Sequence, residues 1–196
     1  SQYHEMFEKA GWEVVGSLAE ADLVQFTGGE DVSPHLYGAE PHPTTFSNSR
    51  RDAHEKALFE RVLDMGKPMV GICRGGQFLN VMSGGAMWQD VDGHAIGGVH
   101  MATDVYTGMT VAVSSTHHQM MKPSKAGKVL TTAAECSRRE NVYPIEGTFQ
   151  DDVEVVYYKD TNCLCFQPHP EFDGVEECTG YYFELIGRML GLSAAQ

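Results

Sequence analysis

The segment MVGICRGGQ at residues 69–77 decides the fold of this chain. Its first four residues are apolar or glycine, which is typical of a short strand buried on both faces of a parallel sheet. From Gly75 to Met82 the apolar positions follow a helical period, so the pattern predicts a helix there. Cys73 therefore lies where a buried strand turns sharply into a helix.

On both sides of this segment, strands alternate with helices along the chain. The C-terminal part that follows contains both strands and a closing helix. The predicted helices cover residues 3–10, 51–65 and 175–190, and residues 33–48 form a loop. The predicted strands cover residues 12–15, 23–27, 104–106, 110–114, 129–132, 145–149, 153–158 and 163–166. This order predicts a single domain over residues 1–196, a three-layer α/β/α sandwich with a mostly parallel central sheet.

Composition excludes several classes of protein. The formal net charge is −13, and the 14 Lys and Arg form no long run, which argues against a nucleic-acid partner or an anionic membrane surface. No apolar run approaches the length of a membrane span, and we expect no signal peptide. An odd count of five cysteines predicts free thiols in a reducing compartment, so we expect a cytoplasmic protein. We also expect no cofactor.

The sequence around Cys73 has the pattern of a nucleophile elbow, with Cys where many hydrolases carry Ser. Gly71 and Gly75 are expected to be mechanically necessary, because side chains there would clash with the strand and the helix. A sulfur at a helix N-terminus is favoured as thiolate. The alternative is a buried structural cysteine in a glycine-rich turn.

A candidate base follows the predicted strand at residues 163–166. His169 and Glu171 lie two residues apart between prolines, so the imidazole could activate a thiol while the carboxylate fixes its tautomer. An ordinary surface turn is the alternative for this segment alone. An oxyanion would need two backbone N–H groups, for which we predict Arg74, after the nucleophile, and Gly29, after the strand at residues 23–27.

These segments resemble a known family. GICRGGQ at residues 71–77 with HPE at 169–171 is similar to the class I glutamine amidotransferases, and most similar to their γ-glutamyl hydrolase branch. That branch, peptidase C26, includes γ-glutamyl-γ-aminobutyrate hydrolases. Further segments that carry the resemblance lie at residues 28–38, 51–55, 80–90 and 114–119. Departures from the pattern are Ser114 in place of Asn, the lead-in at residues 166–168, and the absence of the strand that normally opens the fold.

The resemblance implies a flavodoxin-like fold of the class I glutamine amidotransferase type and a division of roles. Cys73 would attack the γ-carbonyl of a glutamyl group to give a thioester that water hydrolyses. The substrate-binding residues implied are Gln77, Ser115, Thr116, His117 and His118. We predict no metal; the alternatives for His117 and His118 are a solvated turn, or a metal pair with His94 or His100.

Three functions remain open from the sequence. The first is hydrolysis of a γ-glutamyl amide in a small molecule by Cys73, His169 and Glu171. The second is a glutaminase subunit that delivers ammonia to a partner synthase, and the third is a non-enzymatic relative that binds a γ-glutamyl ligand. A homodimer is compatible with the sequence. The leaving group of the reaction is not identified by the sequence.

Overall fold

The structure is a computed structural model that describes residues 1–133, 137–140 and 151–195. The predicted strand at residues 145–149 and Cys136 lie outside these residues. The α-helices in the described residues are α1 (Gln2–Lys9), α2 (Ser49–Asp64), α3 (Arg74–Met82) and α4 (Glu176–Leu185). The strands are β1 (Val24–Phe26), β2 (Met69–Ile72), β3 (Ala86–Trp88), β4 (Ala95–Asp104), β5 (Thr110–Thr116), β6 (Met120–Lys122), β7 (Gly127–Ala133), β8 (Val153–Tyr158) and β9 (Cys163–Phe166).

The main sheet has seven strands in the order β1-β2-β9-β8-β7-β4-β5. Strands β1, β2 and β9 are parallel, and the pairings from β9 to β5 are antiparallel, so the sheet is mixed. Strand β2 lies between β1 and β9, which places the turn after β2 between the loops that follow those two strands. Strands β3 and β6 form a separate antiparallel pair that the sequence did not predict.

Helices cover both faces of the sheet, as predicted for a three-layer α/β/α sandwich. Alternate residues of β2 divide between the two cores, because a strand has a period of two. Val70 and Ile72 pack in one core with apolar residues of α1 and α4. Met69 packs in the other core with residues of α2 and α3. No helix in the described ranges is both long and apolar enough to cross a membrane.

Two predicted strands are wrong. Residues 12–15 form no strand: Trp12 N–H donates to the Phe7 carbonyl at 2.9 Å, and its ring packs edge-on against Phe7, so the segment continues the end of α1. Residues 104–106 belong mostly to a turn. Asp104 ends β4, and its carboxylate accepts the Tyr106 and Thr107 N–H groups at 2.9 and 3.0 Å, which closes an Asx-type turn.

The elements between these corrections agree closely with the sequence. The strands at residues 69–72, 153–158 and 163–166 have the predicted bounds. The predicted loop at residues 33–48 contains one 3₁₀ turn, Pro34–Tyr37. The closing helix ends at Leu185 and continues as a π-helical turn, Ile186–Leu190.

Asp104 also joins the hairpin of β4 and β5 to α4. One carboxylate oxygen accepts from the Tyr181 hydroxyl at 2.8 Å and from Arg188 at 2.7 Å. Burial raises the pKa of Asp104. The hydrogen bonds from the Thr107 N–H, Arg188 and the other donors outweigh this effect and lower the pKa to about 2. The carboxylate is therefore charged in the folded protein over the whole neutral range.

We expect Asp104→Asn to lower the free energy of unfolding by about 1.5–3 kcal/mol near neutral pH, since it weakens charge-assisted hydrogen bonds. The pKa is lowered on folding, so this stabilisation is present above the unfolded value of about 3.9 and is lost as the pH falls towards 2. Urea unfolding of both proteins across that range measures the difference. The exposed Asp160→Asn is the control; an equal effect of both variants would contradict the role of Asp104.

Candidate active site

The turn after β2 holds Cys73 in a backbone conformation that side chains rarely adopt, with φ of 52°. Its N–H donates to the Phe166 carbonyl at 2.8 Å, and its carbonyl accepts the Gln77 N–H at 3.0 Å. A Cβ on Gly71 would overlap the backbone of Gly75, and a Cβ on Gly75 would overlap the Phe26 carbonyl. The expected mechanical need for these two glycines is confirmed.

His169 follows β9 and lies beside Cys73. A Cβ built on Gly28 would stand 3.2 Å from His169 Cε1 and 3.8 Å from Cys73 Cβ, so the loop after β1 adjoins both side chains. His169 Nδ1 is 2.6 Å from Glu171 Oε1. The imidazole stacks on Phe172 at 4.4 Å with nearly parallel planes. The structure therefore brings the three predicted catalytic side chains together.

The charge state of His169 follows from these neighbours. Burial lowers the pKa of His169, but the hydrogen bonds and charges of Cys73 and Glu171 raise it more, to about 10. The imidazole is thus protonated at neutral pH, next to the sulfur. A cation in that position stabilises negative charge on Cys73.

Ser114 positions the backbone of His169 from the neighbouring hairpin. The His169 N–H donates to the Ser114 hydroxyl at 2.6 Å, and the hydroxyl donates to the His169 carbonyl at 3.2 Å. One side chain on β5 thus fixes both polar backbone groups of the residue that carries the imidazole. The sequence noted Ser114 only as a departure from the family pattern and gave it no role.

Arg74 contributes its backbone to the site and its side chain to the scaffold. The guanidinium is only 2% exposed, forms ion pairs with Asp52 and Glu55 of α2, and lies 4.8 Å from the centre of the Phe78 ring. Burial, and then the charge of Arg51, lowers the pKa of Arg74 to about 10. These contacts occupy the guanidinium. The backbone N–H is therefore the part of Arg74 that remains a candidate oxyanion donor.

The loop after β1 is held by Arg51 and Tyr3. Arg51 donates to the carbonyl oxygens of Thr27 and Gly28 at 3.1 and 2.9 Å. The Gly28 N–H donates to the Tyr3 hydroxyl at 3.0 Å. Gly29 has φ of 143°, and a Cβ there would overlap the Arg51 guanidinium. The predicted donor Gly29 therefore occupies a position whose backbone conformation favours glycine.

Tyr3 and Gln167 are neighbours of Cys73 that the sequence analysis missed. Burial raises the pKa of Tyr3, and the nearby charges of Glu171 and Cys73 raise it further. Gln167 Nε2 lies 3.7 Å from Cys73 Sγ, and its Oε1 accepts from Gln77 Nε2 at 3.0 Å. Gln77, predicted to bind substrate, thus contacts Gln167, which lies next to the sulfur. The position of Gln167 directly after a buried strand was the available signal.

The predicted substrate-binding residues after Ser114 divide between two environments. Ser115 and His117 are buried; the Ser115 hydroxyl donates to the His94 carbonyl at 2.6 Å, and the His117 ring stacks on His94 at 4.6 Å. Thr116 is exposed. His118 Nε2 lies 3.2 Å from Asp31 Oδ1, in the loop after β1, and this hydrogen bond raises the pKa of His118.

The profile of the family described as Peptidase C26 matches residues 9–171. The chain belongs to this family. Its resemblance to the class I glutamine amidotransferases is thereby confirmed, and similar proteins carry corresponding names. The glutamine amidotransferase-like protein YvdE of Lactococcus lactis subsp. lactis is 31% identical over 173 residues, which cover 79% of this chain and 67% of that protein.

Two further comparisons support the assignment of family and fold. A homologue of YvdE from Lactococcus lactis subsp. cremoris is 46% identical over 75 residues, 38% of this chain and 40% of that protein. The chain thus matches less than half of this relative's length. The crystal structure of a glutamine amidotransferase from Thermotoga maritima superposes with a TM-score of 0.60 at 16% identity, over 97% of this chain and 77% of that one, which shows a shared fold.

We expect Gly75→Ala to lower the free energy of unfolding by about 1–3 kcal/mol and to displace Cys73, because the new methyl group has no room beside Phe26. Chemical denaturation and the rate of Cys73 alkylation measure the two effects. Gly180→Ala is the matched control: Gly180 is exposed in α4 and its added methyl would touch nothing within 4 Å. The control should be neutral or more stable by up to about 1 kcal/mol, and equal losses in both variants would refute the explanation.

Proposed function

We propose that this chain is a cysteine-dependent hydrolase that cleaves the γ-glutamyl amide bond of a small molecule. The observation that carries the proposal is the contact of His169, itself 2.6 Å from Glu171, with Cys73 in a strained elbow. Nucleophile, base and orienting carboxylate are then arranged as thiol-dependent acyl transfer requires. Membership of the peptidase C26 family supports hydrolysis as the reaction.

The proposed reaction has two steps. Cys73 Sγ, as thiolate, attacks the γ-carbonyl carbon, and its electron pair forms the C–S bond of a tetrahedral oxyanion. Collapse breaks the C–N bond, and His169 gives its proton to the departing amine. Water then attacks the thioester while His169 takes a proton from it, and the C–S bond breaks to release glutamate. Glu171 holds the imidazole in place through both steps.

The oxyanion is assigned to the N–H groups of Arg74 and Gly29. Arg74 N–H opens α3, where backbone donors and the helix dipole favour negative charge. Gly29 is preferred to Gly28, because the Gly28 N–H already donates to Tyr3. The glutamyl group would be recognised by Gln77 through Gln167 and by the loop that carries Thr116 and His118.

Because Ser115 and His117 are buried, we assign these two residues an indirect role in binding the substrate. They support the loop from below, while Thr116 and His118 present polar atoms at the surface. His118 contacts Asp31 in the loop after β1, and we assign it to the leaving group. A cytoplasmic location and a homodimer remain proposals that rest on the sequence.

We expect Cys73→Ala to lower glutamate release by at least about 10³-fold without unfolding the protein, since it removes the nucleophile. The measurement uses a panel of glutamine, γ-glutamyl-aminobutyrate, γ-glutamyl peptides and a polyglutamate. Cys163→Ala, which removes another thiol from the core, is the matched control and should keep its rate. Full activity of Cys73→Ala would sink the mechanism.

The same panel separates the alternatives. Release from a γ-glutamyl compound that Cys73→Ala abolishes supports the free-standing hydrolase. Weak release from glutamine alone, stimulated by a co-purifying synthase, would instead favour a glutaminase subunit. Silence across the panel, with Cys73 inert to a glutamine-like electrophile, would favour a protein that only binds γ-glutamyl ligands.

The pH dependence of turnover tests the role of Glu171. With the pKa of His169 at about 10, the rate should fall as the pH rises through that value, because the proton for the leaving amine is lost. Glu171→Gln removes one of the groups that raise this pKa, so the fall should move to lower pH. We expect a smaller loss of rate than the roughly 10²–10⁴-fold loss in His169→Ala. Glu177→Gln, at the exposed start of α4, is the control, and an unmoved basic limb in Glu171→Gln would show that the carboxylate has another role.

A further inference from the structure

A group of histidines and carboxylates, all buried except the partly exposed His100, lies on the inner side of the loop after β5. We call it the histidine cluster; its members are His94, His100, His117, Asp152 and Glu154. Strand β4 carries His100, β8 carries Glu154, and the other residues lie next to β4, β5 and β8. The proposed hydrolysis uses none of these side chains directly.

Three imidazole nitrogens surround the Glu154 carboxylate. His94 Nδ1 and His100 Nε2 lie 3.4 and 3.2 Å from Glu154 Oε1, and His117 Nε2 lies 3.8 Å from Oε2. The ligand atoms of His94, His100 and Glu154 all lie within 4.8 Å of one another. Two ligands at tetrahedral positions about 2.0–2.1 Å from zinc are about 3.3–3.4 Å apart. The distances from His94 and His100 to Glu154 Oε1 match this spacing, and small side-chain shifts would close the remaining separation around one ion.

In each ring, the nitrogen that does not face Glu154 lies within hydrogen-bond distance of an oxygen. His94 Nε2 lies 2.6 Å from Asp152 Oδ2, His117 Nδ1 lies 2.8 Å from the Gln119 carbonyl, and His100 Nδ1 lies 3.1 Å from the Met101 carbonyl. A carbonyl oxygen can only accept, so His117 and His100 each carry a proton on Nδ1. In neutral rings the lone pair is then on the nitrogen that faces Glu154. Such outer hydrogen bonds are typical of histidines that bind metals.

The Glu154 carboxylate needs a positive partner at short range. It is fully buried, and among the described residues neither of its oxygens nor His117 Nε2 has a hydrogen-bond partner. A buried carboxylate without one is costly. Protonated histidines could supply the charge, but charge-assisted N–H···O bonds shorten to about 2.7–2.9 Å. The His94–Asp152 pair reaches that length in the same cluster, whereas the gaps around Glu154 stay at 3.2–3.8 Å.

Against the prediction of no metal from the sequence, we propose that the histidine cluster binds one divalent transition-metal ion of the zinc type, with His94, His100 and Glu154 as ligands and His117 as the fourth. Imidazole and carboxylate donors suit this class of metal. Four protein ligands in a buried site would leave no position for a substrate, so the ion is structural. It would join β4 and β8 to the loop that carries His118. The proposal does not depend on the hydrolase activity.

The test uses the full chain with Cys73→Ala, which removes the one thiol among the described residues that is not buried and could also bind zinc. After treatment with a chelator, the protein is titrated with Zn²⁺ in a calorimeter. We expect one ion per chain and a rise in the melting temperature with Zn²⁺. Glu154→Gln and His100→Gln in the same background should weaken binding by at least about 100-fold, while His54→Gln, on the exposed face of α2, should not change it.

X-ray absorption of the zinc-loaded Cys73→Ala protein decides the matter even where a cluster variant does not fold. Nitrogen and oxygen neighbours at about 2.0–2.1 Å, without sulfur, are the expected result. Sulfur ligands, less than stoichiometric zinc, or equal affinity in a folded Glu154→Gln variant would overturn the proposal. The cluster would then be a metal-free network of ion pairs. Because the tested protein lacks the nucleophile, a negative result leaves the proposed hydrolysis untouched.

Discussion

The close backbone packing around Cys73 is the constraint on which the rest of the site depends. A φ of 52° at a residue with a side chain costs about 1–3 kcal/mol, so it persists only where the surroundings enforce it. Gly75 abuts the end of β1 at Phe26, and Gly76 abuts the end of β9 at Phe166. The same contacts that strain the elbow therefore bring the two flanking strand ends, and the loops that follow them, to the sulfur.

Two arginines of this acidic protein hold the elbow and the loop after β1 in place. Arg74 is neutralised by carboxylates of α2, and Arg51 of the same helix binds two carbonyl oxygens of the loop after β1. Both guanidinium groups are thereby committed to the scaffold. The positive group next to the reacting sulfur is instead the imidazolium of His169. An imidazolium can transfer its proton, whereas the guanidinium of an arginine cannot.

The sequence predicted the local parts of the site and missed the contacts between distant segments. The elbow of Cys73 and the pair of His169 and Glu171 are short motifs whose geometry follows from neighbouring residues. Ser114 meets His169 across 55 residues, and Tyr3 meets Gly28 across 25. No periodic pattern marks such contacts, because they depend on which strand ends become neighbours. The hairpin was misplaced for a different reason: apolar residues at 105 and 106 occupy a turn that the Asp104 side chain closes.

The alternation of β5 explains why one loop serves two environments. Successive side chains of a strand point to opposite faces, and this pattern continues past Thr116. Ser114 contacts His169 and His118 contacts Asp31, whereas the intervening Ser115 and His117 contact His94 in the histidine cluster. Residues 115–118, predicted from the sequence to be one binding segment, are therefore divided between two faces by the period of two. The contacts of Ser115 and His117 with His94 on one face therefore help to fix the register of Ser114 and His118 on the other. Side chains that do not take part in the proposed reaction thus help to position Ser114, which holds the backbone of His169.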